Sequence, residues 1–269
     1  MWCSGWRLAA AVSDAGGLGL LGAGSMHPET LREHIRKCRE ATHHAFGVNI
    51  PLMYPQIEEI MQIVVDEGVK IVFTSAGSPK KWTGWLHERG ITVVHVVSSS
   101  RFAVKAEEAG VDAIVAEGFE AGGHNGREET TTLCLIPAVR AVTTLPLIAA
   151  GGIATGEAML AAQVLGAEAV QIGTRFALTA ESSASEVFKD YCLHLEEGDT
   201  RLLLRKLAPV RLARNNFRSA VEAAEAAGAS EEELCSLLGR GRAKRGIFEG
   251  DLEEGELEIG QVSALLHGK

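Results

Sequence analysis

The chain has 269 residues, of which 46% are hydrophobic, and its formal net charge is −9 at pH 7. This length and apolar content are enough for one large α/β domain, and the acidic balance argues against a nucleic-acid-binding surface. The sequence has no apolar run close to the roughly 20 residues that span a bilayer, and its five cysteines form no CxxC pair. We therefore expect a cytoplasmic protein without membrane, nucleic-acid or metal partners.

Short apolar runs alternate with helical patterns along most of the chain. The apolar runs are nearly continuous rather than alternating, which is typical of parallel strands that are covered on both faces. Helical patterns cover residues 7–15, 28–41, 57–67, 103–109, 133–143 and 156–165. The runs that we predict as strands cover residues 18–22, 46–50, 69–75, 91–97, 111–116, 145–150 and 169–173.

Seven strand and helix units are one short of a TIM (β/α)8 barrel. The chain begins with a helical pattern that no strand precedes, so we predict an α/β fold of this class with its first strand missing from the chain. After Phe176 the pattern is helical only, which predicts an appended helical C-terminal segment. Its expected helices cover residues 185–196, 202–206, 219–227 and 231–238, with a last one at 259–266. The barrel domain would comprise residues 1–180 and 246–269, and a helical cap residues 181–245.

A glycine-rich loop follows the fifth predicted strand and carries a lone histidine. Residues 118–126 contain four glycines, which let the backbone turn tightly or approach a ligand closely. An imidazole in such a loop can act as an acid, a base or an anion-binding group. We predict that His124 is catalytic; a flexible surface loop with an incidental histidine is the alternative. Glu117, at the strand end, can position a cofactor or orient the histidine, or only hydrogen-bond loop amides.

Two glycine turns after neighbouring strands predict a phosphate site. Gly151 and Gly152 stand where a strand ends and a helix begins, and Gly173 with Thr174 repeats the arrangement one unit later. In a barrel, backbone N–H groups and a helix N-terminus commonly hold a phosphate at these turns. Neither turn matches the Rossmann or P-loop glycine pattern. Simple tight turns are the alternative.

Five motifs, taken in their order along the chain, point to a known family. They are Gly16-Gly17-Leu18-Gly19, Phe46-Gly47-Val48-Asn49, Ala116-Glu117-Gly118 through Gly126, Ala149-Ala150-Gly151-Gly152-Ile153 and Gln171-Ile172-Gly173-Thr174-Arg175-Phe176. Together they lie within residues 16–176 of the chain. The chain resembles the FMN-dependent nitronate monooxygenase and enoyl-acyl-carrier-protein reductase II (FabK-type) family.

The resemblance implies a TIM barrel that holds FMN at its C-terminal mouth, with His124 as the catalytic histidine. It also implies NADPH or NADH as the reductant. The chain looks closer to the reductase branch, which reduces trans-2-enoyl-acyl-carrier-protein in fatty acid synthesis. The cofactor-binding residues expected from the motifs are Gly22, Asn49, Glu117, Gly122, Gly123, Gly151, Gly152, Gln171, Gly173 and Thr174.

Two other functions stay open. One is a nitronate monooxygenase that oxidises alkyl nitronates with O2 and in which nicotinamide has no role. The other is a flavin-free or truncated, inactive phosphate-binding barrel, because family members begin with a strand that this chain lacks. The expected partner is acyl carrier protein or a small-molecule substrate, and a homodimer is in keeping with the family.

Overall fold

The structure of the protein, a computed structural model, describes residues 2–266. Residues 1 and 267–269, which belong to the predicted barrel domain, lie outside the described residues. The strands are β1 (Gly19–Gly22), β2 (Phe46–Pro51), β3 (Ile71–Ser75), β4 (Thr92–Val97), β5 (Ala113–Glu117), β6 (Gly123–His124), β7 (Leu147–Ala150), β8 (Ala169–Gln171), β9 (Thr200–Leu203) and β10 (Val210–Ala213).

Helices connect the strands and form much of the C-terminal third. Within residues 2–266, none combines the length and the apolar content that crossing a bilayer requires. The α-helices of this part of the chain are α1 (Trp6–Asp14), α2 (Pro28–Ala41), α3 (Ile57–Asp66), α4 (Lys80–His87), α5 (Ser100–Glu108), α6 (Thr132–Arg140), α7 (Gly156–Val164), α8 (Thr174–Ala177), α9 (Glu186–Cys192), α10 (Asn216–Ala226) and α11 (Glu231–Leu238).

Capping side chains fix the start of several helices. The Ser99 side chain accepts the backbone N–H of Phe102 at the start of α5, and Ser230 and Glu233 form a reciprocal capping box at the start of α11. These oxygens satisfy N–H groups that the first helical turn leaves unpaired. The same role is filled by Thr155 in α7, Ser185 in α9 and Asn215 in α10.

The large sheet contains β1, β2, β3, β4, β5, β7 and β8 in that spatial order, and all its pairs are parallel. Spatial order follows chain order without a reversal, which distinguishes a TIM-type barrel from a doubly wound sheet. The seven predicted strands and the fold class are confirmed. Residues 2–5 form no strand, although the N–H of Gly22 donates to the carbonyl of Ser4 (3.0 Å) at the free edge of β1.

The central strands β3, β4, β5 and β7 bury residues on both of their faces. Val48, Val72 and Ile114 lie in the core between the sheet and the surrounding helices. Phe73 and Val115 belong to a separate core inside the barrel. Successive side chains of a strand point to opposite faces, so this double burial explains the continuous apolar runs of the sequence.

The C-terminal segment contains a sheet that the sequence analysis did not predict. The helix expected at 202–206 is wrong, because β9 pairs antiparallel with β10 and β10 pairs with β6. Leu203 and Leu212 pack with Phe217 of α10 in a core of their own, and this tertiary burial outweighs the helix propensity of the leucines. The last helix, expected at 259–266, is only a 3-10 turn, Gln261–Leu265. Helices α9, α10 and α11 confirm the remaining helical predictions of this segment.

Close packing of β1 on α1 predicts a sharp effect of a single methyl group. A Cβ on Gly19 would overlap the carbonyl of Ala9, whereas the space around Gly84 in α4 is open. We expect Gly19→Ala to lower the free energy of unfolding by about 3 kcal/mol. Gly84→Ala should raise it by up to about 1 kcal/mol, because alanine favours a helix. Denaturant unfolding measures both, and equal changes in the two variants would contradict this packing.

Candidate active site

The carboxyl ends of the parallel strands form the mouth of the barrel, and several predicted site residues lie there. Gly22 is level with Asn49 on the neighbouring strand. Ala150 is level with Glu117 on one side and with Gln171 on the other. Ala150 belongs to the inner core, so Glu117 and Gln171 also face the barrel interior. Active sites of this architecture are built at this end of the strands.

Glu117 is a half-buried acid in the barrel mouth. Burial raises the pKa of its carboxyl to about 7, because the charged form loses hydration there. Near neutral pH, both protonation states of Glu117 are therefore populated. An acid with a pKa close to the working pH is suited to exchange a proton with a bound group.

The two glycine turns differ: backbone conformation and packing require glycine in the first turn, whereas the space around the glycine of the second turn is open. Gly151 and Gly152 have φ values of +90° and +68°, which favour glycine. A Cβ on Gly151 would also lie 2.5 Å from the carbonyl oxygen of Gly118. Around Gly173, by contrast, no neighbouring heavy atom lies within 4 Å of the position of a Cβ. This open space at the end of β8 is available to a ligand.

The first glycine turn is tied to the histidine loop through Thr132. The Thr132 hydroxyl lies 2.8 Å from the carbonyl oxygen of Gly151 and 2.9 Å from Oε2 of Glu120. Its N–H donates to the Glu120 carboxylate at 3.0 Å. Glu120 therefore caps α6 and fixes the turn at the same time. The sequence analysis did not identify this role.

The histidine loop is held by strand pairing. In β6, His124 is level with Val210 of β10. The N–H of Asn125 donates to the carbonyl of Pro209 (2.8 Å), and the Asn125 side chain donates to the carbonyls of Ala121 and Gly123 (both 2.9 Å). Three successive residues of the loop are thus fixed, while the His124 side chain stays 58% exposed. The backbone of the loop is thus held in place, and a catalytic role of His124 stays a prediction.

Arg211 of β10 holds the same loop through its side chain. Its side chain is buried and donates to the carbonyl of Phe119 from Nε (3.1 Å) and Nη2 (2.7 Å). The guanidinium also lies 5.0 Å from the centre of the Phe119 ring. Burial lowers the pKa of Arg211. The sequence offered one signal of this role, which is an arginine within the otherwise apolar strand β10.

Residues 256–266, which we call the tail, close over the loop and over the second glycine turn. The N–H of Gln261 donates to the carbonyl of Glu120 (3.0 Å), and the N–H of Gly260 donates to Oγ1 of Thr174 (3.0 Å). The Thr174 hydroxyl acts as an acceptor here, and its own hydrogen can still be donated. A phosphate contact from Thr174 stays a prediction.

The glycine pair before His124 fits against the tail. A Cβ on Gly122 would overlap the backbone of Ile259, and Gly123 has a φ of +75°. Packing and backbone conformation therefore require glycine at both positions. Their predicted contacts with a cofactor stay predictions, as do those of Gly22 and Asn49.

The similarity of the chain to known proteins agrees with this architecture. The sequence model of one family, described as nitronate monooxygenase, matches residues 1–62 and 55–268. The chain belongs to the nitronate monooxygenase family. It is therefore a member of an oxidoreductase family, and its relatives include proteins named for two different activities.

Three relatives illustrate this range. A protein of Staphylococcus aureus (strain JH9) named probable nitronate monooxygenase is 32% identical over 238 residues, which are 72% of this chain and 67% of the relative. The structure of FabK from Thermotoga maritima has a TM-score of 0.93 and 41% identity, covering 98% of this chain and 84% of that one. A nitroalkane oxidase from Streptomyces ansochromogenes has a TM-score of 0.85 and 28% identity, covering 99% and 88%.

Removal of the Arg211 guanidinium should loosen the histidine loop of this family member. Arg211→Met leaves the carbonyl of Phe119 buried without its donor, and we expect a loss of about 1–3 kcal/mol in the free energy of unfolding. Amide hydrogen exchange of residues 119–125 should accelerate, because the loop loses its anchor. The control is Arg201→Met, on the same hairpin, whose side chain is 62% exposed. Equal exchange rates in both variants would contradict an anchoring role.

The pKa of Glu117 predicts a pH-dependent stability. The folded protein keeps a proton on Glu117 up to about pH 7, whereas an ordinary glutamate releases it near 4.5. Stability should fall as the pH rises between these two values, because only the unfolded chain loses the proton there. We expect Glu117→Gln to be more stable than the parent by about 2–3 kcal/mol near pH 8, and by about zero near pH 4.

The matched control for this titration is Glu108→Gln, an exposed carboxyl at the end of α5. It should change the free energy of unfolding by less than about 0.5 kcal/mol at both pH values. Denaturant unfolding of protein without added cofactor measures the effect. A pH-independent difference between Glu117→Gln and the parent would contradict the raised pKa.

Proposed function

We propose that this protein is an FMN-dependent oxidoreductase that uses NADPH or NADH to reduce trans-2-enoyl thioesters carried by acyl carrier protein. The observation that carries this proposal is the likeness to FabK of Thermotoga maritima, with 41% identity over 98% of this chain. The nitroalkane oxidase is matched over a similar length at only 28% identity. The reductase is therefore the better supported of the two activities.

The barrel mouth fits a flavin mononucleotide in three respects. Oε1 of Gln171 is buried and has no hydrogen-bond partner within residues 2–266. A buried acceptor of this kind is costly unless a ligand or water supplies a donor. Beside it, Gly173 leaves open space, and the left-handed Gly151 and Gly152 end the neighbouring strand. We assign the flavin to Gln171 and its phosphate to the two glycine turns.

The chemistry divides between the cofactor and the side chains of this chain. Bound FMN supplies the capacity to accept a hydride from nicotinamide and to give one to a substrate carbon. His124 would polarise the thioester carbonyl or donate a proton to the α-carbon, and its exposed ring is accessible to a substrate. Glu117, on the inner face of β5, would hold a proton close to the flavin.

The hairpin of β9 and β10 carries arginines next to the histidine loop. Arg201 and Arg205 are 62% and 54% exposed, and they are ion-paired with Glu222 at 3.4 Å and with Glu129 at 2.6 Å. The hairpin is paired with β6, which carries His124. We also propose that acyl carrier protein is the partner of this protein. Residence in the cytoplasm and a homodimer are further parts of the proposal.

Nitronate oxidation is the second candidate. It is favoured by the matching family description and by the Staphylococcus aureus relative, which is 32% identical. In this reaction, His124 would assist removal of a proton or bind the nitronate anion, and O2 would be the final oxidant. Nicotinamide has no part in it, so the reductant distinguishes the two candidates.

The deciding experiment is an anaerobic visible spectrum of the purified protein before and after addition of NADPH or NADH. We expect a yellow protein whose flavin absorbance bleaches, and which then reduces crotonyl thioesters. A yellow protein that neither nucleotide bleaches, but that an alkyl nitronate reduces, would assign it to nitronate oxidation. A colourless protein that takes up no FMN would overturn both candidates.

The role of His124 is tested in the same assay. His124→Gln should still bind FMN and be bleached by the nucleotide, but enoyl reduction should fall by about 10²–10⁴-fold because the proton donor is lost. The control is His43→Gln, at an exposed position between α2 and β2. Full enoyl reductase activity of His124→Gln would remove His124 from the mechanism.

A further inference from the structure

A buried carboxylate of the tail lies beside the predicted catalytic histidine. Oε1 of Glu258 is 3.6 Å from Nδ1 of His124, and the Glu258 side chain is only 5% exposed. This separation exceeds that of a hydrogen bond but lies within the range of an ion pair. Glu258 is withdrawn from solvent, whereas the His124 side chain is 58% exposed, so water screens the pair on the side of the ring.

One strand edge brings the two residues together. Val210 of β10 is level with His124, and two residues further along β10, Leu212 forms an antiparallel bridge with Glu258. The N–H of Ala213 donates to the carbonyl of Leu257 at 2.9 Å. Backbone pairing therefore sets the distance between the carboxylate and the ring, and this placement does not depend on two flexible side chains meeting in solution.

Gly123 makes room for the carboxylate. A Cβ at this position would lie 3.0 Å from Oε2 and 3.3 Å from Cδ of Glu258. Glycine thus lets the Glu258 side chain pack directly against the loop backbone that precedes His124. This contact is a second feature of the fold that fits Glu258 to the histidine loop.

The groups around Glu258 are a second acid and a thiol. Glu256 is buried two residues earlier, and burial together with the charge of Glu258 raises the pKa of Glu256 to about 8. Glu256 therefore keeps its proton at neutral pH. Burial, and to a smaller extent Glu258, also raises the pKa of the Cys3 thiol, which stays neutral as well.

We propose that Glu258 is a positioning residue for His124. Its carboxylate faces the Nδ1 edge of the ring and holds the ring in place. The Nε2 edge, on the opposite side of the ring, is then left to face the substrate. Only the catalytic role of the Glu258–His124 pair rests on the proposed function, because the pairing itself can be measured in the absence of turnover.

The test is NMR of the FMN-loaded protein with 15N-labelled histidine, in which His124→Gln assigns the signals of His124. Glu258→Gln should move the ring 15N signals of His124, because the carboxylate that faces Nδ1 is lost. The matched control is Glu256→Gln, which removes a buried carboxyl that keeps its proton at neutral pH and should leave these signals in place. Glu258→Asp keeps the charge at a shorter reach, and the signals of His124 in this variant should lie between those of the parent and Glu258→Gln.

Steady-state kinetics of enoyl thioester reduction give the second readout. Glu258→Gln should lower kcat more than it changes KM, and Glu258→Asp should recover part of the loss, a pattern that a purely structural role would not produce. Unmoved ring signals of His124 in Glu258→Gln, or equal movements in both glutamine variants, would overturn the proposal. A flavin that neither nucleotide bleaches would instead refute the proposed function, and full activity of His124→Gln would remove His124 from the mechanism; in both cases the NMR result would still decide the pairing.

Discussion

The antiparallel pairing of β6 with β10 is the constraint on which the candidate site depends. β6 has only two residues, and the loop around it is rich in glycine, which loses more conformational freedom on folding than any other residue. Ordering such a loop costs about 1–2 kcal/mol per residue. The ladder to β10, the Asn125 hydrogen bonds and the buried Arg211 offset this cost together. The position of His124 thus follows from a strand far along the chain.

Two acids with raised pKa values lie near the barrel mouth. Glu117 on β5 and Glu256 in the tail are each taken out of water, which raises both pKa values. Burial of such groups opposes folding, and proteins tolerate it mainly where the groups serve binding or chemistry. On the outer helices, the buried carboxylate of Glu67 is paired with Arg32 at 2.9 Å and with Arg36 at 2.8 Å. The pKa of Glu67 is lowered rather than raised, which distinguishes it from the two acids near the mouth.

The sequence predicts the repeated strand and helix units of this protein. It does not predict the contacts between segments that are distant in the chain. The seven barrel strands could be identified because burial on both faces leaves continuous apolar runs. The sequence of residues 202–206 predicts a helix locally, whereas pairing with β10 places residues 202 and 203 in strand β9. Glu117 directly follows the predicted strand 111–116 and Gln171 lies near the end of the predicted strand 169–173, so the barrel placed them in the mouth. Arg211 and Glu258 escaped prediction, because their partners in the histidine loop are remote in sequence.

The attachment of the tail to the histidine loop has a consequence for the order in which this protein matures. During translation, His124 emerges from the ribosome long before Val210 and Glu258 are made. The barrel strands β1 to β5 can pair with their neighbours as they appear, because their contacts are local. The histidine loop has to wait for β10 and the tail. A nascent chain can therefore complete its barrel scaffold before the histidine loop is fixed against β10 and the tail.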